Sequence, residues 1–194
     1  MNQPTLVLGS SSPFRRELLE RLMVPFVVDS PNIDETALPQ ETPIALVERL
    51  AIEKARAVAT RHPNALVIGS DQIALHNDSV VGKPGTHEAA VEQLRQASGN
   101  TVTLYTGLAL VNSKTGRVQS DVVRFATHFK TLSDATIERY LLKEQPYNCA
   151  GSLKSEGLGI ALLERFDGDD PSALIGLPLI RLIAMLEAEQ FPLF

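Results

Sequence analysis

Arg15 and Arg16 fall in the first turn of a helix that the sequence opens at Pro13, where basic residues are out of place. A helix N-terminus carries partial positive charge, so a cation there costs ~0.3–1 kcal/mol. A capping box would set Glu or Gln at position 15, and this chain sets Arg. Ser10, Ser11 and Ser12 precede the helix and follow the apolar run Thr5–Gly9. A strand, a serine-rich loop and a helix start make a junction whose unpaired backbone N–H groups cradle phosphate. The plain alternative turns both arginines outward to pair with Glu17 or Glu20. Neither GxxxxGK[ST] nor GxGxxG occurs, which removes the two common nucleotide loops.

Lys54 is the second anomaly. Ile44, Val47, Ala51, Lys54 and Val58 recur at steps of three and four, so the lysine falls on the apolar seam of a helix. There it must run its stem out to solvent, pair with a carboxylate or meet a ligand. Asp71 follows the apolar run 65–68 and is expected at the end of a buried strand, the edge where α/β proteins bind ligands. Gly69-Ser70-Asp71 is also ordinary turn chemistry, although Gln72-Ile73-Ala74-Leu75 continues directly as strand. Lys83, before Pro84, is held extended at the end of a hairpin arm. Glu35 lies in the acidic loop Asn32-Ile33-Asp34-Glu35-Thr36, which taken alone reads as solvated surface. Together these are the groups that a polyphosphate with a divalent metal requires. Cations neutralise phosphate oxygens, while carboxylates hold Mg²⁺ or Mn²⁺ and activate water. No histidine is placed for such work: His62 precedes a proline, His76 abuts a turn, His87 opens a surface helix, and His128 has no acid or serine nearby. A Ser-His-Asp hydrolase and a His-ligated metal site are therefore disfavoured.

The elements that must position these residues follow from pattern. Helices are expected from Pro13, with Leu18, Leu19, Leu22 and Met23 on one face, over 43–60, 86–97 and 133–143, and over about 177–189. Strands are expected at Thr5–Gly9, at 65–68, in a hairpin turning at Asn77-Asp78 with its second arm over 79–83, and in the long runs 101–111 and 118–130. A loop over 151–157 leads to the apolar run 158–163. Helices interleave with strands toward both ends while two long strands hold the middle. That order describes an α/β fold with a mixed β-sheet, one domain over residues 1–194 bent into two lobes around a groove.

Composition narrows the partners. Lys plus Arg is 18 against 23 Asp plus Glu, a net charge of −5. Such a chain is a poor nucleic-acid or anionic-membrane binder, so an anionic ligand must meet a local cationic cluster. No apolar run approaches the roughly 20 residues of a membrane span, and Met1-Asn2-Gln3-Pro4 lacks the basic start of a signal peptide. Cys149 is the single cysteine, read as a reduced, buried thiol in a cytoplasmic protein.

The block Leu8-Gly9-Ser10-Ser11-Ser12-Pro13-Phe14-Arg15-Arg16-Glu17-Leu18-Leu19 resembles the opening motif of the Maf family of nucleoside triphosphate pyrophosphatases. The likeness continues in order through Asp34-Glu35-Thr36, Leu50-Ala51-Ile52-Glu53-Lys54-Ala55, Ile68-Gly69-Ser70-Asp71-Gln72, Gly82-Lys83-Pro84, Ser98-Gly99 and Tyr105-Thr106-Gly107. It ends with Ala150-Gly151-Ser152 and Gly176-Leu177-Pro178-Leu179, so it covers nearly the whole chain. The resemblance implies an elongated, Maf/ITPase-like α/β fold with a central cleft, frequent homodimers, a divalent-metal requirement, and hydrolysis of a nucleoside triphosphate to monophosphate and pyrophosphate. Carried onto this chain, it implies phosphate-binding serines at Ser10 and Ser12 with Arg15 beside them; Arg16, from the same unusual first turn, is counted among the candidate substrate contacts. It also implies acidic metal or base positions at Glu35 and Asp71, lysines at Lys54 and Lys83, and Asp71 as proton acceptor.

One branch of the family reads Ser-Pro-Arg-Arg and Asp-Thr and prefers pyrimidine triphosphates. This chain has Phe14, Gln72 and Glu156 instead, a set similar to the branch acting on 7-methyl-GTP. Methylation at N7 makes guanine cationic, and an aromatic face attracts a cation by about 0.5–2 kcal/mol. A carboxylate accepts hydrogen bonds from the N1–H and N2–H₂ edge. Phe14 has the alternative of a core contact in the first helical turn. The expected activity is thus conversion of 7-methyl-GTP to 7-methyl-GMP and pyrophosphate. The alternatives are a nucleotide-binding regulator of cell division that does not hydrolyse, and a pyrophosphatase for other altered nucleotides.

Overall fold

The structure, a computed structural model, describes residues 3–194. In chain order it runs β1 (Thr5–Gly9), α1 (Pro13–Glu20), β2 (Phe26–Val28), α2 (Pro43–Ala59), β3 (Ala65–His76), β4 (Ser79–Val81), α3 (His87–Ala97), β5 (Thr101–Asn112) and β6 (Val118–Phe129). It closes with α4 (Asp134–Glu144), β7 (Leu163–Asp167), α5 (Pro171–Ile175) and α6 (Leu179–Ala188). Seven strands form a mixed sheet ordered β2-β1-β3-β5-β6-β7, with β4 paired to β3. The mixed α/β fold expected from pattern is the fold found.

Helix starts follow their caps. Ser12, Thr42, Thr86 and Ser133 each accept the backbone N–H three residues on, and Pro13 and Pro43 take first helical positions that need no donor. Asn77 and Asp78 both have positive φ, as a tight hairpin turn between β3 and β4 demands. Three short elements, β2, β7 and α5, have no counterpart in the sequence pattern. The run 158–163 forms a 3-10 turn over Leu158–Leu162 before β7 begins. The first helix stops at Glu20, so Met23 is not on its buried face; it has positive φ and is exposed, while Leu22 packs on the core. Ile44 is exposed too, because the seam of α2 meets the core only from Val47 onward.

The chain packs as two compact units. The first holds the chain up to Gln72, Thr106–Val123 and Asp170–Phe194; the second holds Ile73–Tyr105 and Arg124–Asp169. In the first unit β1 runs parallel to β2 and β3, with Gly9 opposite Gly69. Successive strand residues point to opposite faces. Leu6, Leu8, Leu66, Ile68, Leu108 and Leu110 accordingly pack with Leu18 and Leu19 of α1 and Leu182, Met185 and Leu186 of α6. On the other face Val7, Val67 and Ala109 pack with Ala51, Ala55 and Val58 of α2.

Three glycines on the α2 face let that helix lie against the strands. A Cβ on Gly107 would stand 2.2 Å from the Val47 carbonyl oxygen, one on Gly69 2.1 Å from that of Ala51, and one on Gly9 3.4 Å from a Val58 methyl. As α2 advances from Val47 to Val58 it therefore crosses β5, β3 and β1 in turn, its backbone held close over the first two and in ordinary contact with the third.

Candidate active site

Lys54 is the residue this close approach positions. It is 6% exposed on the face of α2 that meets the sheet. Asp71 shares the strand parity of Val67 and Gly69, so its carboxylate points to that same face. The Lys54 ammonium donates to Asp71 Oδ1 at 2.7 Å and lies 3.0 Å from Glu35 Oε2. Two carboxylates from distant segments thus meet one ammonium, the Asp71 side chain at 14% exposure and Glu35 at 57%. Asp71 does not end its strand as expected: β3 continues through it to His76. What ends there is the neighbour. β1 stops at Gly9, opposite Gly69, so Ser70 and Asp71 emerge just past the carboxyl end of the parallel pair.

The loop from β1 to α1 turns over that edge. Ser10, buried, accepts at Oγ from the Ser12 N–H (3.1 Å) and from Arg15 Nη1 (3.4 Å); Ser12 Oγ accepts the Arg15 N–H that caps the helix. Arg15 Nε donates to the Gly176 carbonyl at 2.8 Å. Burial lowers the Arg15 guanidinium from its ordinary pKa, and the Asp71 and Glu35 charges oppose that shift, so the three groups share one electrostatic environment. Arg16 is placed elsewhere. Its side chain is 63% exposed and its Nε pairs with Glu20 at 2.9 Å, the outward arrangement. Phe14 is half-buried in the first turn of α1.

Gln72 is occupied in structure. Its amide nitrogen donates to Thr106 Oγ1 (2.9 Å) and to the carbonyls of Ala173 (2.8 Å) and Leu174 (3.2 Å). Thr106 and Ser70, both buried, donate to the Ala173 and Gly176 carbonyls at 2.8 and 3.0 Å. The α5 segment is fixed in turn by buried Asp170, which accepts from the Ser172 N–H and hydroxyl and, through Oδ2, from the Ile180 N–H at 2.9 Å. Gly176, at φ 124°, holds a backbone conformation disfavoured for other residues. Sequence reasoning missed Ser70, Thr106, Asp170 and Ser172. The one local signal was Asp170-Pro171-Ser172, a helix cap followed by a first-turn proline.

The loop that carries Glu35 is tied down by a second clamp, at the next residue. Arg49 grips Glu41 through two bonds (2.6 and 2.8 Å) and donates to the Thr36 carbonyl at 3.1 Å. Glu41 also accepts the Leu38 N–H, and these bonds, the Arg49 pair above all, bring its pKa down to about 2.

Lys83 and Glu156 belong to the second unit, both exposed on loops that are tied together there. Gly85 N–H donates to the Tyr147 carbonyl (3.0 Å) and Gly151 N–H to that of Gly82 (3.2 Å). Gln93 joins the two loops, donating to the Gly82 carbonyl at 3.1 Å and accepting from Ser152 Oγ at 2.6 Å. Cys149 is only partly buried, and burial raises its pKa, which disfavours the nucleophilic thiolate.

Among the described residues no three His, Cys, Asp or Glu side chains converge as a metal cage. Asp71 and Glu35 are nonetheless hard oxygen donors meeting at one cation. Mg²⁺ is commonly held by one or two carboxylates, completed by substrate phosphates and water. The donor set fits such an ion. With Arg15, the serine loop and the Lys54-bridged acids, the first unit presents matched positive and negative groups suited to a phosphate chain.

The class of α/β protein thus outlined is also shown across the whole chain. The profile of the family described as Maf-like protein matches residues 5–189, and the chain belongs to that family. It is 58% identical over 189 residues to a protein of Nitrosococcus oceani named 7-methyl-GTP pyrophosphatase, covering 97% of this chain and 95% of that one. Proteins of the same name from Polaromonas sp. (59% over 189 residues, 97% and 86% covered) and Pseudomonas fluorescens (58% over 184 residues, 95% and 96%) are similarly alike. No helix among the described residues is long and apolar enough to cross a membrane.

Proposed function

We propose that this chain is a hydrolase that adds water across the α–β phosphoanhydride of 7-methyl-GTP, releasing 7-methyl-GMP and pyrophosphate. The observation that carries the reading is the buried Lys54 held between Asp71 and Glu35, with Arg15 and the hydroxyl of Ser70, next to Asp71 in the chain, both bonded to the Gly176 carbonyl. Near-full-length identity to proteins named for that activity supports the substrate.

In this reading Asp71 takes the proton of the attacking water while Lys54 holds the carboxylate in place. Glu35 and Asp71 would hold a divalent cation, Mg²⁺ or Mn²⁺, which when bound neutralises phosphate charge and acidifies water. Arg15 and the Ser10–Ser12 loop bind phosphate oxygens, Arg15 oriented by the Gly176 carbonyl. Lys83 stabilises charge on the departing pyrophosphate. Phe14 faces the cationic base and Glu156 accepts from its N1–H and N2–H₂ edge. Gln72 supports the α5 wall instead of meeting substrate through its amide nitrogen, and Arg16 stays outside.

The test is pyrophosphate release from 7-methyl-GTP, GTP, dTTP and UTP with and without Mg²⁺. Preferred turnover of 7-methyl-GTP is expected. Equal or better turnover of dTTP overturns the substrate assignment, and tight nucleotide binding without pyrophosphate release overturns the hydrolase.

A further inference from the structure

The segment that carries Glu156 is gripped from below by one face of α4. Tyr140 and Glu144 stand four residues apart on that helix, one above the other. The Tyr140 hydroxyl accepts the Lys154 N–H at 3.0 Å and donates to the Ser152 carbonyl at 3.0 Å. The Glu144 carboxylate accepts the Leu158 N–H at 2.6 Å through one oxygen and the Lys154 ammonium at 2.8 Å through the other. Of the three backbone groups held, the Lys154 and Leu158 N–H groups lie two residues either side of Glu156.

The grip is built in. Tyr140 is 3% exposed and burial pushes its phenol pKa up, so the hydroxyl keeps the proton it donates. Bonds from Lys154 and the Leu158 N–H hold the Glu144 carboxyl below its ordinary pKa, so it stays an ionised double acceptor. Gly157 leaves the carboxylate room to close: a Cβ there would stand 2.6 Å from Glu144 Oε2. Within the loop, the Lys154 carbonyl accepts both the Gly157 N–H (3.2 Å) and the Gly159 N–H (3.1 Å). Glu156 itself is exposed within this closed segment, its carboxylate accepting from the Ser155 hydroxyl at 3.4 Å. An acidic group on an exposed side chain gains selectivity when the backbone beneath it cannot follow the wrong ligand.

We propose that Tyr140 and Glu144 are positioning residues for substrate selection, fixing Glu156 where it meets the donor edge of the guanine base. This rests on the reading of Glu156 given above. Neither residue touches substrate; both act through the loop.

The experiment measures kcat and KM for 7-methyl-GTP and for UTP, a triphosphate without the guanine donor edge, in Tyr140→Phe, Glu144→Ala, Glu156→Ala and each double variant with Glu156→Ala. Tyr140→Phe keeps the ring and removes one oxygen, so it remains informative if Glu144→Ala folds poorly. Each positioning variant should lower the 7-methyl-GTP to UTP ratio of kcat/KM about five- to tenfold, through KM, and should add nothing in the Glu156→Ala background. If Glu156→Ala lowers the ratio and Tyr140→Phe does not, the positioning role is refuted while the base contact stands. A uniform loss on both substrates makes the pair merely structural and also refutes it. If Glu156→Ala leaves the ratio unchanged, the base contact itself fails and the positioning role falls with it.

Discussion

Replacing Lys54 by Met keeps an unbranched stem of similar volume on the α2 seam and removes only the ammonium. Two contacts are lost, and their settings differ. The bond to Asp71 is short and shielded, and a hydrogen bond to a charged group is worth about 1.5–3 kcal/mol. The contact with Glu35, more than half exposed, falls in the range of a surface pair, ~0–1 kcal/mol. The larger share of the penalty is a carboxylate left without its counter-ion, since breaking one side of a shielded pair costs more than the pair contributed. Met also relieves the desolvation of the ammonium, so the net loss is about 2–3 kcal/mol. For a chain of this size each kcal/mol lowers Tm by ~2–4 °C, so a fall of roughly 5–10 °C is expected.

The informative measurement is the second substitution. If the cost is the stranded charge, Asp71→Asn in the Lys54→Met background removes it and restores about 1–2 kcal/mol. Thermal unfolding of wild type, both single variants and the double variant closes the cycle. A double variant whose loss equals the sum of the singles refutes the coupling, and with it the placement of Lys54 as the bridge. Pyrophosphate release should fall ~10²–10³-fold in Lys54→Met and should not recover in the double variant, because the charge that returns stability is the one the chemistry uses.

Asp71→Asn alone should lose most of kcat while the nucleotide still binds, read by single-turnover pyrophosphate release beside equilibrium nucleotide binding; near-normal turnover removes Asp71 as the base. Lys83→Ala alters an exposed loop residue, so its Tm should change little, within the ~0.5 kcal/mol typical of surface sites. Its kcat should fall well beyond that; equal, small effects on both would dismiss Lys83 from the reaction. Gly69→Ala drives a methyl onto the α2 backbone, 2.1 Å from the Ala51 carbonyl oxygen and 2.7 Å from Ala55 N. It should cost about 1–3 kcal/mol or more by urea unfolding, with activity falling as α2 lifts Lys54 from Asp71; a protein of unchanged stability would contradict the close crossing. Glu41 has its folded pKa depressed to about 2 from an ordinary 4.5, so its contribution is complete above 4.5 and is lost as pH falls toward 2. The Tm gap between wild type and Glu41→Gln should therefore narrow as pH falls below 4.5 and close only on passing through about 2, and a gap that does not narrow over that range would show that the Arg49 clamp is not its source.

What could be read in the sequence depended on whether the deciding force was local. Caps at Ser12, Thr42 and Ser133, and the Asn77-Asp78 turn, are settled by side chain and backbone within four residues and stand where the pattern placed the helix starts and the hairpin; Thr86, expected inside its helix, caps it instead. Short β2 and β7 carry no periodicity of their own; they are strands because a neighbour offers a ladder. The pairing of Lys54 with Asp71 was half visible. The seam gave the lysine its face, and running one strand unbroken from Ala65 to His76 puts Asp71 on the face of Val67 and Gly69, toward that helix. The division between Arg15 and Arg16 was half visible. Arg15 stands three, four and seven residues before Leu18, Leu19 and Leu22 and so shares the core face, whereas Arg16, about 100° round the helix, falls in line with exposed Glu20. What the local pattern could not supply is the partner: the Gly176 carbonyl, 161 residues on, accepts Arg15 Nε, and the turn that carries it is locked before α6 by buried Asp170 and Ser172. The inward arginine is therefore a property of the C-terminal segment as much as of the motif in which it sits.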